Sequence, residues 1–375
     1  MPPKPASTRD DLKALIDLTT STSALLDQFL ITLSPSPATA ASRTDPVKLP
    51  DTTSITNPLP LLADSAKLLK AHTTKLSLLL INDPFTATAI AKVLREMGAA
   101  VLPAMMGGAQ AVAQAQEQKN AFPAVVEREV RARVRRIVSA VAEEVVEVRG
   151  RAEAVLAAAE GEGGKKKAAK KVDGGRDALS STGLVWEACD ALIEVKDKGV
   201  VGVVVGKVEG WRATLLDAVE ELKEWGEEGE DDDDEDDLDD SGDEGDSVED
   251  MFSGGDKLGK GNEELRAQLE ASLKKAKTIT VLYQALVKRR LKTYPGGDAS
   301  VETLDKLLDI LQSIPDSVDE MASAYYDLDG EAAKKVFTKI SADAVRASEL
   351  VKQSWDGKDD EFTAWAAKFQ DAINA

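Results

Sequence analysis

His72 and Cys189 are the side chains best suited to catalysis, and each is the only residue of its type in the 375-residue chain. One histidine cannot build a multi-histidine metal site. His72 lies in a helical stretch rich in leucine and is predicted to be an ordinary helix residue. Cys189 follows Trp186 by three positions and has no histidine or cationic cluster nearby to activate it, so a buried structural thiol is predicted. These residues indicate a non-enzymatic protein.

Glycine-rich and acidic stretches could hold nucleotides or cations, but none has the required spacing. Neither 161–164 nor 254–261 matches the P-loop pattern, and neither is predicted to lie between a strand and a helix. Residues 231–240 are acidic without the spacing of an EF-hand loop. The pairs Glu143-Glu144 and Glu220-Glu221 fit a solvated helix face. The sequence therefore predicts no cofactor and no metal site.

Basic residues cluster in two places, and neither cluster favours a specific nucleic-acid site. Lys165–Lys171 fits a solvated loop, with a nuclear import signal as the alternative, and Lys288-Arg289-Arg290 fits the charged end of a helix. The net charge is −20, and no aromatic residues interleave with the basic ones.

Residues 227–250, here called the acidic belt, carry 17 of the acidic residues and no Lys or Arg. Such a composition predicts disorder, because the segment cannot bury enough apolar surface. Ser241 and Ser247 each have an acidic residue three positions later, the context of acidophilic kinases, so both are predicted phosphorylation sites. The belt could serve as a docking or regulated segment, or as a solubilising spacer.

Helical periodicity dominates the rest of the chain, and aromatic residues make up only 4% of it. No convincing run of period-two alternation appears. Trp186, Trp211 and Trp225 are predicted to lie on apolar helix faces. The predicted helices cover residues 8–33, 58–81, 86–118 (bent near Pro103 and Gly107-Gly108), 126–155, 178–195, 204–225, 265–286, 301–314, 336–351 and 361–373.

These helices predict an all-α protein with two helical bundles joined by a disordered acidic linker. The larger N-terminal bundle is predicted over 8–226, the acidic and Gly-rich linker over 227–261, and the smaller C-terminal bundle over 262–375. No window approaches the roughly 18 apolar residues of a membrane span, and no secretory signal is visible. We therefore expect a soluble intracellular protein, and the sequence leaves its oligomeric state open.

The segment Ser181–Cys189 (Ser-Thr-Gly-Leu-Val-Trp-Glu-Ala-Cys) resembles the short motif of the cyclin-D-interacting protein (GCIP) family. In that family a Val-Trp and a nearby Ala-Cys lie on a helix of the amino-terminal part. The order of the following parts, a second helical stripe, the acidic linker and the 265–286 helix, is also similar. The resemblance extends from about Leu61 to the carboxyl terminus. Sparse identity indicates a distant member, and the expanded loops indicate a fungal type.

The resemblance implies a non-enzymatic helical adaptor that binds cyclin-like or helix-loop-helix regulators, with a role in cell-cycle control. It also implies a cytoplasmic and nuclear location. Trp186 and Cys189 would be the family-motif residues. Two other functions fit the same architecture. One is a structural adaptor of the vinculin or talin type, which would bind actin or lipid. The other is an acidic chaperone for histones or similar basic proteins.

Overall fold

The computed structural model describes residues 7–34, 55–117, 122–160, 174–231, 258 and 262–375, and within these ranges all regular structure is helical. The predicted all-α fold is confirmed. None of the described helices has the length and apolar character that crossing a membrane requires. The α-helices are α1 (Arg9–Thr32), α2 (Pro58–Ile81), α3 (Ala87–Glu96), α4 (Leu102–Glu117), α5 (Ala124–Glu160), α6 (Gly174–Asp231), α7 (Glu263–Leu286), α8 (Asp298–Tyr326), α9 (Gly330–Leu350) and α10 (Glu361–Asn374).

Helices α1 to α5 form a bundle in which α1 packs on α5 and α3, while α2 packs on α4. Helix α1 begins with a capping box between Thr8 and Asp11, which satisfies backbone N–H groups at the start of the helix. The apolar stripe predicted over 126–155 is the buried face of α5. Small residues let the axes approach closely. A Cβ added at Gly108 of α4 would lie only 2.8 Å from the Leu62 side chain of α2.

The predicted bend near Pro103 appears instead as a π-helical turn at Met97–Val101, between α3 and α4. Pro103 has no backbone N–H and its ring crowds the preceding turn, so a wider turn just before it relieves that strain. Gly107 and Gly108 are buried inside α4. The prediction of a bend at these glycines is wrong, because their role is close packing.

Helix α6 is broken at Gly199, whose φ of 63° and ψ of −177° are not helical. Residues with a side chain rarely adopt a positive φ of this kind, so glycine suits the break. The chain divides at this point into two compact units, Met1–Val200 and Val201–Ala375, here called the N-terminal and C-terminal units.

The C-terminal unit contains the second arm of α6, residues 201–231, together with α7 to α10. Trp225 of that arm packs edge-on against Tyr326 of α8, with 5.2 Å between ring centroids. Arg212 donates from Nε to the Thr280 carbonyl of α7 at 3.1 Å. The sequence instead predicts a boundary between the bundles at 227–261. Most of that segment lies outside the described residues, and its domain bounds stay a prediction.

Helix α8 continues through Pro315 to Tyr326, although the sequence predicts a helix that ends at Ile314. A proline inside a helix leaves the carbonyl four residues earlier without its N–H donor, and here that carbonyl belongs to Leu311. The buried Tyr283 hydroxyl of α7 donates to the Leu311 oxygen at 2.7 Å. A neighbouring helix thus replaces the missing hydrogen bond, and α8 passes through Pro315.

Arg290 lies in a π-helical turn, Val287–Leu291, that follows α7, and its side chain is 1% exposed. Its guanidinium donates to both carboxylate oxygens of Asp360, at 2.7 and 2.9 Å, and lies 4.4 Å from the Phe362 ring centroid. It also donates to three backbone carbonyls, those of Arg289, Val351 and Lys352. The basic cluster was predicted to be the charged end of a helix. Arg290 is instead a buried residue that joins α7 to the start of α10.

Candidate protein-interaction site

Trp186 lies on the first arm of α6, residues 174–198, and 41% of its surface is exposed. The buried face of this arm consists of residues at three- and four-residue spacing, namely Val185, Ala188, Leu192 and Val195. Trp186 lies next to this stripe and reaches the surface, so the expectation that it lies on an apolar face is wrong. A large exposed aromatic ring on a helix is typical of protein-binding surfaces.

Lys70 of α2 connects Trp186 to its surroundings. Its Nζ lies 5.9 Å from the Trp186 ring centroid and 2.5 Å from Oδ1 of Asp190, one helical turn further along α6. A cation near the face of an indole ring is attracted to it, and the carboxylate holds the ammonium group in place. The indole ring is thereby fixed at the edge between α2 and α6.

The same arm of α6 is also joined to α5. Arg136 pairs with Glu187 at 2.8 Å. Arg133 donates to the Ala191 carbonyl and approaches Glu194 at 3.6 Å. Trp186 therefore lies on a helix fixed to two neighbours, which reduces the entropy that a partner must overcome on binding.

Further apolar surface occurs on the same two helices. Leu68, two residues before Lys70, is 49% exposed, and Leu184, two residues before Trp186, is also exposed. Two residues along a helix correspond to about 200° of rotation, so neither side chain shares the face of the Lys70–Trp186 contact. Lys70 and Asp190 were not identified from the sequence as site residues. Lys70 and Asp190 are 120 positions apart, and no local pattern connects them.

Cys189 is fully buried, as predicted for a structural thiol. Burial raises the pKa of the thiol to about 12; Asp190 and Glu144 act in the same direction and Lys70 opposes them. Because the thiolate is the reactive form, Cys189 is unreactive at neutral pH while the helices stay packed.

Glu144 of α5 is 1% exposed, and neither of its carboxylate oxygens has a hydrogen-bond partner among the described residues. Burial raises its pKa to about 8, assisted by the charge of Glu147. The Thr73 hydroxyl of α2 opposes this rise, yet it too lacks a partner within hydrogen-bond geometry. The interpretation of Glu143-Glu144 as a solvated face is wrong for Glu144. It follows Val141 by three residues and precedes Val148 by four, so it shares their buried stripe.

The other predicted site residues lie apart from Trp186 or outside the described part of the chain. His72 of α2 is mostly buried, with Nδ1 3.6 Å from a Glu96 carboxylate oxygen. Within the described ranges, no group of three or more His, Cys, Asp or Glu side chains could hold a metal ion. Ser241, Ser247 and most of the predicted disordered linker around them lie outside the described residues. Residues 227–231 at the start of that linker are helical in α6, so the prediction of disorder is wrong for them.

Residues 61–228 match the protein-family model described as Grap2 and cyclin-D-interacting, N-terminal. The match begins at Leu61, where the resemblance also begins, and it includes Lys70, Glu144, Trp186 and Cys189. The resemblance to this family is thereby confirmed over residues 61–228, and its extension to the carboxyl terminus stays a prediction. No curated protein and no solved structure matches the chain.

Proposed function

Because the chain carries the N-terminal domain of the Grap2 and cyclin-D-interacting family over residues 61–228, we propose that it is a regulatory adaptor that acts by binding proteins. The proposed partners are cyclin-like or helix-loop-helix regulators, and the proposed setting is cell-cycle control in cytoplasm and nucleus. Binding rather than catalysis is its proposed mode of action.

This proposal rests on the indole ring of Trp186, which is exposed on a helix within the family-matched residues 61–228. Trp is enriched among the residues that dominate binding energy at interfaces. A helix of the partner would lie against the edge between α2 and α6, with the Trp186 indole as its apolar contact. Lys70 and Asp190 would supply polar contacts at the rim.

The test measures the affinity of the purified full-length chain for a D-type cyclin and for a helix-loop-helix domain, by calorimetry. Trp186→Ala is expected to weaken binding by roughly tenfold or more, the range of an interface hot spot. Leu78→Ala is the matched control, because Leu78 lies on α2 and is 56% exposed. Its affinity is expected to stay near that of the wild type.

Two results would contradict the proposal in different ways. Equal affinities for wild type and Trp186→Ala would exclude the Trp186 surface as the contact. Absence of binding to both partner classes would exclude the proposed partners.

Co-sedimentation with actin filaments or lipid vesicles would favour a vinculin- or talin-like adaptor instead. Salt-sensitive histone binding that is lost on deletion of 227–250 would favour an acidic chaperone.

A further inference from the structure

Helix α7 of the C-terminal unit has an outward face that is basic with an apolar centre. Its residues follow helical spacing and all are exposed: Lys274, Lys277, Val281, Gln284 and Lys288. We call them the α7 basic face. Val281, at its centre, is 46% exposed, which is unusual for a β-branched apolar side chain between lysines.

Two grooves lie along this face. One, of about 320 Å³, lies over Leu269 and Leu273 and includes Lys274 and Lys277 in its lining. The other, of about 520 Å³, is lined by Val281, Ala285, Lys288 and, from α10, Trp365. Trp365 stacks between Phe362 and Phe369, so one wall of this groove is aromatic. The face therefore offers apolar depressions bordered by lysines, and the lining also includes Glu227 and Glu270 in the first groove and Glu361 in the second.

The three lysines of the face have no ion-pair partner among the described residues, although ion pairs are frequent elsewhere on this surface. Arg289, next to Lys288, is paired with Glu361, and Lys223 is paired with Glu227. Unpaired cations clustered on one face attract an anionic ligand, and the apolar depressions favour one that also carries apolar side chains.

The segment that contains the acidic belt leaves the described structure after Asp231, at the end of α6, and re-enters it at Leu258, near the start of α7. Arg266, in the first turn of α7, donates to the carbonyls of both Gly226 and Leu258, at 3.4 and 3.1 Å. Both ends of the intervening segment are thus fixed at the start of α7. From Arg266 to Lys288 the helix extends about 33 Å. The 26 residues between Asp231 and Leu258, when fully extended, can reach about 45 Å out and back.

The belt also has the composition that the face requires. It is strongly acidic, and its final residues are followed at once by apolar ones in the run Val248-Glu249-Asp250-Met251-Phe252. We propose that the acidic belt, together with Met251 and Phe252, docks on the α7 basic face of its own chain. Its carboxylates pair with Lys274, Lys277 and Lys288, and its apolar side chains occupy the groove at Val281 and Trp365.

The test uses a full-length variant in which residues 230–252 are replaced by a Gly-Ser sequence of equal length. A fluorescent peptide of residues 230–252 is titrated against this variant and the wild type, and binding is followed by anisotropy. The peptide is expected to bind the variant at least about tenfold more tightly, because in the wild type the tethered segment competes at high effective concentration. Affinity is expected to fall with added salt.

Charge reversal then locates the site. Lys274→Glu with Lys277→Glu, made in the replacement variant, is expected to abolish peptide binding. Lys334→Glu with Lys335→Glu is the matched control, since both lysines are exposed on α9, and it is expected to leave most of the affinity. A peptide with Val248, Met251 and Phe252 changed to Ser keeps the charge and is expected to bind at least about fivefold more weakly, because apolar burial is lost.

Two outcomes would overturn the proposal. Equal peptide affinity for the wild type and the replacement variant would show that the chain's own belt does not occupy the face, which would then serve an acidic segment of another protein. Absence of binding to the replacement variant, with helical content intact by circular dichroism, would show that the face does not bind the belt. Neither outcome depends on Trp186 or on the cyclin assay.

Discussion

Arg290 in the C-terminal unit and Glu144 in the N-terminal unit are buried to the same extent, each 1% exposed, but their surroundings differ. Arg290 makes five hydrogen bonds, as many as a guanidinium has N–H groups. The Glu144 carboxylate has no hydrogen-bond partner among the described residues. One buried ionisable group is fully paired, and the other is not.

The difference shows what each group does for its unit. A buried charge that is paired and hydrogen-bonded holds elements together, whereas an unpaired buried carboxyl remains only by staying protonated, at a cost in stability. The unpaired carboxyl lies in the family-matched helices, close to Cys189. The paired guanidinium lies outside the matched residues, where it joins α7 to α10.

The largest expected effect is the loss of the Arg290 guanidinium. Arg290→Met should destabilise the protein by roughly 2–4 kcal/mol, because three backbone carbonyls and the Asp360 carboxylate lose their donor. Arg289→Met is the control, since Arg289 is exposed and its pair with Glu361 contributes at most about 1 kcal/mol. Denaturant unfolding of both variants measures the difference. A similar small change in both would show that the Arg290 network is not structural.

The same network predicts a loss of stability in acid. Hydrogen bonds from Arg290 lower the pKa of Asp360 to about 2, with the N–H groups of Thr363 and Phe362 assisting. A carboxyl whose pKa is lower in the folded state stabilises it above the unfolded pKa, near 3.9, and this contribution is lost as pH falls toward 2. Arg290→Met should remove most of this dependence, as measured by thermal unfolding between pH 5 and 2.

The second expected effect is a pH dependence of stability from Glu144, and its sign is opposite to that from Asp360. The pKa of Glu144 rises on folding from an ordinary value near 4.5 to about 8, so the folded state holds a proton that the unfolded state has released. Its contribution to stability is full below about pH 4.5 and is lost as pH rises toward 8. Glu144→Gln should therefore stabilise the protein by roughly 1–3 kcal/mol at pH 8 and change little at pH 4.

Glu143→Gln is the control for that experiment, because Glu143 is the adjacent, exposed residue of the same helix. Its melting temperature should follow the wild type at every pH. A Glu144→Gln variant that is less stable than the wild type at pH 8 would show that the carboxylate has a favourable partner.

The smallest expected effect concerns neutral hydroxyl groups in the C-terminal unit. Tyr283→Phe removes the donor to the Leu311 carbonyl and should cost roughly 1–2 kcal/mol, because that carbonyl stays buried without a partner. Tyr294→Phe is the matched control, since the Tyr294 hydroxyl is buried without a hydrogen-bond partner in the described part of the chain. It should be neutral or slightly stabilising. Equal losses in both would show that the Tyr283 bond contributes nothing specific.

The helices could be predicted from sequence because apolar spacing is a local property. The stripe from Val126 to Val155 lies within α5, and the bounds predicted for α2 agree with those observed. The run through Pro315 could not be predicted, since its cause is a hydroxyl on another helix, 28 residues earlier in the chain. The sequence likewise predicts a charged helix end at Arg290, because its partners Val351 and Asp360 are distant in the chain.

The candidate site was predictable only in part. Trp186 and Cys189 stood out by residue type, but which of them faces solvent depends on the packing of α2 and α5 around α6. Lys70 and Asp190 come together only in the folded chain. The burial of Glu144 could have been predicted from its spacing to Val141 and Val148. The adjacent Glu143 is exposed, and the two together have the sequence pattern of a solvated face.

The single cysteine has a practical consequence. Cys189 is buried under the first arm of α6, so a thiol reagent can reach it only when that arm separates from α2 and α5. The rate of labelling therefore measures how often the N-terminal unit opens locally, without any introduced probe. A bound partner that spans α2 and α6 would slow this labelling, and the chain thus carries its own kinetic reporter for occupancy of the Trp186 surface.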